Sequence, residues 1–300
     1  KKKNALLRQV MLDAVNKRCP QLNHLFNKYY ARDSLCFFTV EGDVQVIRGQ
    51  QGSRMGCVLG SFGFDLAVQD IYEAAAAQLP AASIKALTDD FNAAVPPQDS
   101  VQAQLRSAGK LFVLVRDEAR ARGLEVNLTK SCVLPPLKDN GLPYTDADMQ
   151  ELRLSDFPPE LRICTDGIKV GGAPVGTDEF TREFVRDTLD CYAQRIAALP
   201  GIDPQVGFGI LRMCVSSAPI FLAQVTPPLL VADLFEDFDR RMQECALQLL
   251  LLQGHAAPAC SDERTTRALE RLALPIRLRG AGITSVALRH PIAYFASVAV

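Results

Sequence analysis

The sequence lacks a long apolar run and a secretory signal pattern. Its longest such run, near residues 246–252, is far shorter than the roughly 20 residues that a membrane-spanning helix needs. The opening Lys1-Lys2-Lys3-Asn4 is not followed by the apolar stretch of a signal peptide. We therefore expect an intracellular protein, cytoplasmic or nuclear, without a membrane partner.

The sequence also lacks closely spaced cysteines and an excess of charge of one sign. Its nine cysteines are dispersed without a Cys-x-x-Cys pair, which argues against a zinc site or a compact disulfide framework and favours reduced thiols. Lys and Arg total 33 against 34 Asp and Glu, a formal net charge of −1. Any basic surface for nucleic acid must therefore be local.

What is present is enough apolar sequence for a sizeable core. The chain has 300 residues, 48% of them hydrophobic, which allows one large domain or two modest ones. The Pro-containing run 138–160 is typical of a surface linker, and we place a domain boundary near residue 176. Apolar periodicity and turn residues predict helices near 6–15, 22–30, 64–77, 98–122, 178–198, 204–224, 228–253 and 261–273, and hairpins around 41–43, 89–90 and 171–172.

Two adjacent carboxylates, Asp89 and Asp90, lie between two short apolar runs. A β-hairpin would hold them stiffly at its turn and leave them open to a ligand, a geometry suited to a metal ion. An Asp-Asp pair in a loop is otherwise a solvated turn.

A glycine-rich loop over residues 49–61 leads into an apolar helix. Glycines there would let the backbone approach a ligand closely. The spacing fits neither the P-loop nor the dinucleotide-binding pattern, so glycines needed for turns and helix packing are the alternative interpretation.

Taken in order, these segments resemble the palm of reverse transcriptases, particularly those of non-long-terminal-repeat retrotransposons (LINE-like elements). The matching residues are Gln51, Gly52, Gly56 and Leu59 for the template and nucleotide motif, Asp89 and Asp90 for the catalytic motif, Gly123, Leu124, Asn127 and Lys130 for the next motif, and Gly171 and Gly172 for the primer grip. Residues 274–283 and 293–297 resemble the segment beyond the thumb. The resemblance covers nearly the whole chain.

This resemblance implies an α+β fold, a polymerase palm with a small antiparallel sheet backed by helices, followed by an α-helical thumb-like domain. Residues 1–176 would be a partial fingers and palm domain, and residues 177–300 the thumb and post-thumb region. The implied function is RNA-directed DNA polymerase, with an RNA template, a DNA primer and dNTPs as partners.

The resemblance also implies the site residues and the cofactor. Asp89 and Asp90 would be catalytic and would hold two Mg²⁺ ions, with Mn²⁺ as a substitute, because hard oxygen ligands suit these cations. The expected nucleotide and template contacts are Leu6, Gln51, Gly52, Ser53, Arg54, Gly56 and Lys130.

Three departures from the family pattern keep the enzyme assignment open. Lys1 stands where the family has its first metal-binding carboxylate, and Leu6 replaces a bulky aromatic residue. We also expect no fingers segment within this sequence, which would make it a fragment or a decayed copy. The alternatives are an inactive nucleic-acid-binding remnant and an interaction protein that uses its helices.

Overall fold

The computed structural model describes residues 6–53, 57–152, 157–251 and 263–299. The chain divides into two compact units, Lys1–Thr165 and Asp166–Val300. Helices account for 58% of residues and strands for 13%, which confirms the broad α+β class. The division into palm and thumb near residue 176 stays a prediction.

The predicted helices are confirmed with shifted ends, except that the helix predicted over 204–224 is divided into two α-helices by a π-helical turn and a short turn. Eleven α-helices occur in the described ranges: α1 Arg8–Arg18, α2 Asn23–Tyr30, α3 Val58–Gln78, α4 Val101–Ala121, α5 Asp146–Glu151, α6 Asp178–Ala198, α7 Pro204–Ile210, α8 Ile220–Val225, α9 Pro228–Leu251, α10 Glu263–Ala273 and α11 Val286–Val298. A π-helical turn, Leu211–Val215, follows α7. Several starts are capped by side chains, as at Ser100 before α4 and Thr177 before α6.

The strands form two-stranded ladders instead of the single small sheet that we expected. They are β1 Ser34–Val40, β2 Asp43–Gly49, β3 Ser83–Leu87, β4 Asp90–Ala94, β5 Cys132–Val133, β6 Arg162–Ile163, β7 Gly167–Val170 and β8 Ala173–Gly176. In the described ranges β1–β2, β3–β4 and β7–β8 pair antiparallel, and β5–β6 pair in parallel. A tight turn joins the two strands of each hairpin, so their pairing is between residues close in sequence. Joining the hairpins into one sheet would need pairing between residues far apart in sequence.

The core of the first unit lies between α1, α2 and α3, with the end of α4 against it. Gly63 on α3 permits the close packing, because a Cβ there would lie 2.6 Å from the ring of Phe26 and 2.8 Å from the sulfur of Met11. At the edge of this core, the Arg18 guanidinium on α1 pairs with Asp70 and Glu73 on α3. It lowers the pKa of the Asp70 carboxyl.

The core of the second unit lies mainly between α6, α8, α9 and the π-helical turn, with the start of α11 against it. Val185, Phe235 and Met242 are almost fully buried in it. Asp239 of α9 is buried as well, and its carboxylate accepts hydrogen bonds from the backbone at the start of α11. The two helices are therefore joined by polar as well as apolar contacts.

The described parts of the run 138–160, residues 138–152 and 157–160, contain more regular structure than the predicted surface linker. Thr145 and Asp148 form a capping box at the start of α5. Phe157 and Pro158 pack against Gly109 of α4, where a Cβ would lie 2.9 Å from the Pro158 ring. Thr145 of this run starts a short helix, and Phe157 and Pro158 cover part of α4.

One helical segment in the described part of the chain, Pro204–Val225, is long and apolar enough to cross a membrane by length and composition alone. Arg212, Ser216 and Ser217 lie in the middle of this segment, so it does not stand out in the sequence as a long apolar run. Core helices of soluble proteins meet the same criterion, and 39% of this window is buried in the second unit.

Candidate active site

The Asp-Asp pair lies at the turn of the hairpin β3–β4, as the sequence predicted. Leu87 pairs with Asp90, which leaves Thr88 and Asp89 as the two turn residues. Both aspartates are exposed to solvent. Thr88 has a φ of 55°, an uncommon conformation for a residue branched at Cβ. The turn thus presents two carboxylates from a constrained backbone.

Tyr72 of α3 contacts this turn and the following strand β4. Its hydroxyl donates a hydrogen bond to the carbonyl oxygen of Thr88 at 2.9 Å, and its ring stacks on Phe91 of β4 with the centroids 5.7 Å apart. Burial raises the pKa of Tyr72 to about 12, and the negative charges of Asp65, Asp89 and Asp90 add to the effect. The hydroxyl therefore keeps its proton at neutral pH and stays a donor.

Sequence reasoning missed Tyr72 as a site residue. It assigned Tyr72 to the apolar face of a helix, and the tyrosine is indeed half-buried. Its hydroxyl meets a backbone carbonyl 16 residues away, and no residue pattern signals a contact of that kind.

The glycine-rich loop is held through its own backbone. Gly52 donates its N–H to the Leu6 carbonyl at 2.8 Å, and its carbonyl accepts from Arg8 Nε at 3.1 Å. Its φ of 66° suits glycine. Gln51 is exposed, whereas Ser53 is half-buried against Gly60 of α3. Arg54 and Gly56 lie outside the described residues.

Arg8 is a second residue that the sequence analysis missed. Besides Gly52, its guanidinium donates to the Arg32 carbonyl at 2.8 Å and to Ser34 Oγ at 3.1 Å. It therefore ties the loop to the first residue of β1. A guanidinium suits this task because its donors point in several fixed directions.

Leu6 lies in the core of the first unit. Its side chain is only 1% exposed, and its carbonyl holds Gly52. A nucleotide could touch the Leu6 side chain only if neighbouring atoms moved. The expected nucleotide contact by Leu6 stays a prediction.

Lys130 is exposed at the end of a turn that Asn127 organises. The Asn127 carbonyl accepts from the N–H of Lys130 at 3.1 Å and from that of Ser131 at 3.0 Å. The Asn127 side chain also accepts from Thr129 Oγ1 at 2.7 Å. This turn follows α4 and Gly123, whose φ of 77° ends the helix as predicted.

Gly171 and Gly172 form the turn of the hairpin β7–β8 in the second unit. Their φ values of 57° and 97° favour glycine at both positions. A Cβ at Gly172 would lie 3.1 Å from the ring of Phe221 on α8. The hairpin that we expected is confirmed, and its use as a primer grip stays a prediction.

Helix α3 connects the loop and the Asp-Asp turn. Ser53 packs on Gly60 near its start, and Tyr72 holds the turn twelve residues later. That separation is about 18 Å along the helix axis at 1.5 Å per residue. The two motifs thus share one rigid support, and their convergence on one nucleotide stays a prediction.

The donor chemistry of the turn suits Mg²⁺, because both groups are carboxylates that face solvent. In the described ranges, no group of three or more His, Cys, Asp or Glu side chains is arranged to hold a metal ion. Asp89 and Asp90 would therefore need further oxygen ligands from substrate phosphates, water or another protein segment.

Comparisons with protein-family models and with curated proteins found no match. The likeness to reverse transcriptases therefore rests on the motifs and their order along the chain. The structure shows in addition that the Asp-Asp pair is exposed and that Tyr72 of α3 is hydrogen-bonded to the adjoining turn.

Proposed function

We propose that this chain is part of an RNA-directed DNA polymerase of a non-long-terminal-repeat retroelement, with Asp89 and Asp90 in its nucleotidyl-transfer centre. The observation that carries the proposal is the pair of exposed carboxylates, Asp89 in a two-residue turn and Asp90 at the first position of β4, beside the Thr88 carbonyl that Tyr72 of α3 holds. The backbone that carries the two carboxylates is therefore already positioned before an ion binds.

The resemblance to reverse transcriptases gives each site residue a role. Bound Mg²⁺ would supply positive charge at the reacting phosphate and the primer hydroxyl. Asp89 would be the main ligand, Asp90 would assist it, and the exposed ammonium of Lys130 would attract the triphosphate. Both polar backbone groups of Gly52 are bonded within the protein, so Gln51 and Ser53 are the described residues of that loop that would offer side-chain contacts to the substrate.

A second hairpin in the chain provides an internal comparison. The turn between β1 and β2 also carries acidic residues, Glu41 and Asp43, and Glu41 has a φ of 52°. An acidic hairpin turn is therefore not sufficient for the proposed role. The β3–β4 turn differs in having adjacent aspartates and the hydrogen bond from Tyr72.

Primer extension tests the proposal. The unmodified chain should not extend a DNA primer on an RNA template in Mg²⁺, because Lys1 stands where the resemblance places the carboxylate opposite Asp89 and Asp90. Extension should appear when a fingers segment of a related retroelement is fused upstream and Lys1→Asp is introduced. Adding Asp89→Ala to this fusion should abolish extension, and the matched variant Asp43→Ala should not.

Two results would contradict the assignment. Extension by the fusion that survives Asp89→Ala would leave the aspartates without a catalytic role. Robust extension by the unmodified chain would show that Lys1 does not occupy the position of the missing carboxylate.

The second candidate function is nucleic-acid binding without catalysis. Lys1 favours it, because a lysine at a metal-binding position repels the cation. If the folded fusion binds an RNA–DNA hybrid but does not extend the primer, the result would favour this second function over the polymerase.

A further inference from the structure

One side of α11 is apolar and exposed to solvent. Leu288, Ile292, Phe295 and Val298 follow one another at intervals of three or four residues, so they lie on the same side of the helix. These four residues, the outer face of α11, are 67% to 78% exposed. Arg289 is the only Asp, Glu, Lys or Arg residue in the helix. The outer face therefore extends over about 15 Å of helix without a charge of its own.

The opposite side of α11 is fixed to the second unit. Val286 and His290 are buried, and His290 Nε2 lies 2.8 Å from the Thr226 carbonyl. Ser297 Oγ donates a hydrogen bond to the Gln224 carbonyl. The helix packs on α8 and α9 and cannot turn its outer face inward while these contacts last. A helix that is apolar on all sides is normally covered on all sides, so the outer face suits a partner.

Helix α6 shows how an ordinary solvated face differs. This helix also packs on α9, but its exposed positions include Glu183, Arg186, Asp187 and Asp190. Charged side chains on the exposed side are the usual pattern of an amphipathic helix at a protein surface. The outer face of α11 departs from that pattern at each of its four positions.

We propose that the outer face of α11 is a homodimer interface, in which the α11 helices of two copies pack antiparallel about a two-fold axis near Ile292. A two-fold interface is self-complementary, because the same patch is used on both copies. Ile292 meets the partner's Ile292 at the axis, and Leu288 packs near the partner's Phe295. The interface lies in the second unit and does not depend on the polymerase assignment.

The charge of Arg289 fits a second copy of the chain. In the antiparallel pair Arg289 lies opposite the partner's Phe295, which belongs to the last turn of the partner's α11. The C-terminal end of a helix carries partial negative charge, and an aromatic ring attracts a guanidinium. The two Arg289 positions are about 9 Å apart along the helix direction, so they do not face each other.

The area of the outer face indicates the strength of the dimer. Four side chains with these exposed fractions offer on the order of 500 Å² per copy, on the scale of 150–250 Å² for a buried aromatic residue. Two copies would then cover on the order of 1,000 Å², the lower limit of a specific interface. We therefore expect a weak dimer that forms and dissociates with protein concentration.

Sedimentation equilibrium of the full chain, from low micromolar to several hundred micromolar, tests the proposal. The mean mass should rise from that of one chain toward that of two. Ile292→Asp should weaken association by at least about ten-fold, because it brings two like charges together at the axis. Val44→Asp is the matched control, since Val44 is an exposed apolar residue of the first unit and should leave association unchanged.

Cross-linking tests the two-fold geometry. Ile292→Cys should give a dimer under mild oxidation that is linked through position 292 of both copies, as mass spectrometry of the digest can show. Leu288→Cys is the control on the same face, because the two copies of position 288 lie about 12 Å apart along the helix direction and should not link to each other. Circular dichroism checks that each variant is folded.

Three results would overturn the proposal. The first is an unmodified chain that stays monomeric at the highest concentration. The second is a dimer that Ile292→Asp leaves intact, which would place the interface elsewhere. The third is a monomeric chain that floats with phosphatidylcholine vesicles and loses this binding in Ile292→Asp, which would assign the outer face to a lipid surface.

Discussion

At the scale of single residues, Tyr72 is the side chain that distinguishes the β3–β4 hairpin from the acidic β1–β2 hairpin, because it is hydrogen-bonded to the β3–β4 turn. Its hydroxyl meets the carbonyl of Thr88, a residue in the left-handed region. Thr88 is not glycine, so the turn conformation carries strain of about 1 kcal/mol or more. The hydrogen bond and the stacking on Phe91 offset part of that strain.

Tyr72→Phe should weaken the turn while preserving the packing of the ring. Loss of the hydrogen bond to the Thr88 carbonyl should lower the free energy of unfolding by about 1 kcal/mol. Urea denaturation measures this change, and faster amide hydrogen exchange across residues 87–91 would locate it. Tyr29→Phe, which removes a hydroxyl from an exposed ring, should change the stability by much less. Equal effects of the two variants would contradict the support role.

His290 is a buried titratable residue of the second unit, and it links α11 to the segment before α9. Its side chain is 1% exposed, its Nε2 lies 2.8 Å from the Thr226 carbonyl, and its ring contacts Phe235 edge-on. A carbonyl oxygen only accepts, so Nε2 carries the proton of the neutral ring. Burial lowers the pKa of His290 despite this hydrogen bond.

The lowered pKa makes the stability of the second unit depend on pH. Below about pH 6.5 the unfolded chain binds a proton at His290 that the folded chain does not bind. The free energy of unfolding should therefore fall as the pH is lowered from about 6.5 toward the folded-state pKa. Urea denaturation at several pH values measures this.

His290→Gln should remove that part of the pH dependence, because glutamine can keep a donor near Thr226 and does not titrate. His24→Gln, which replaces a histidine at an exposed position, is the matched control. If the free energy of unfolding of His290→Gln depends on pH as that of the unmodified protein does, groups other than His290 cause the pH dependence.

At the scale of elements, the junction of α9 and α11 depends on one carboxylate. Asp239 Oδ1 accepts from the N–H of Val286 at 2.9 Å, and Oδ2 accepts from the N–H of Ala287 at 3.0 Å and from Ser285 Oγ at 2.6 Å. A negative charge at a helix N-terminus is favourable, and here it comes from a different helix. The start of α11 is thus fixed by a tertiary contact as well as by its Ser285 cap.

Asp239→Ala should destabilise the second unit by about 3 kcal/mol, because it leaves buried N–H groups without their charged acceptor. Asp233→Ala is the control on the same helix, since its exposed ion pair with Arg182 should contribute less than about 1 kcal/mol. Denaturation curves followed by circular dichroism compare the two. A smaller loss for Asp239→Ala than for Asp233→Ala would contradict the capping role.

At the scale of the whole molecule, the modest net charge makes nucleic-acid binding a question of local surfaces. We expect an RNA–DNA hybrid to bind mainly through phosphate contacts, with an affinity that falls as salt rises. Gel shifts across a salt series measure this, and Lys130→Ala should weaken binding and reduce the salt dependence. Lys85→Ala on β3 is a control for the loss of one exposed charge. Absence of binding at low salt would favour the interaction-protein alternative.

The sequence by itself determined the elements whose signals are local. Hydrophobic periodicity, caps and glycines predicted α4, α6 and α9 and the hairpin turns, because helical and hairpin contacts join residues close in sequence. It also placed Asp89 and Asp90 at a turn, which needed only two short strands and a break between them.

The tertiary structure alone decided which distant groups meet. The hydrogen bond from Tyr72 to Thr88, the three contacts of Arg8, the burial of Leu6 and the pairing of Cys132 with Arg162 all join separate segments. Each depends on how helices and strands pack against one another. A single sequence carries no local signal for such contacts, since many partners could satisfy the same polar or apolar side chain.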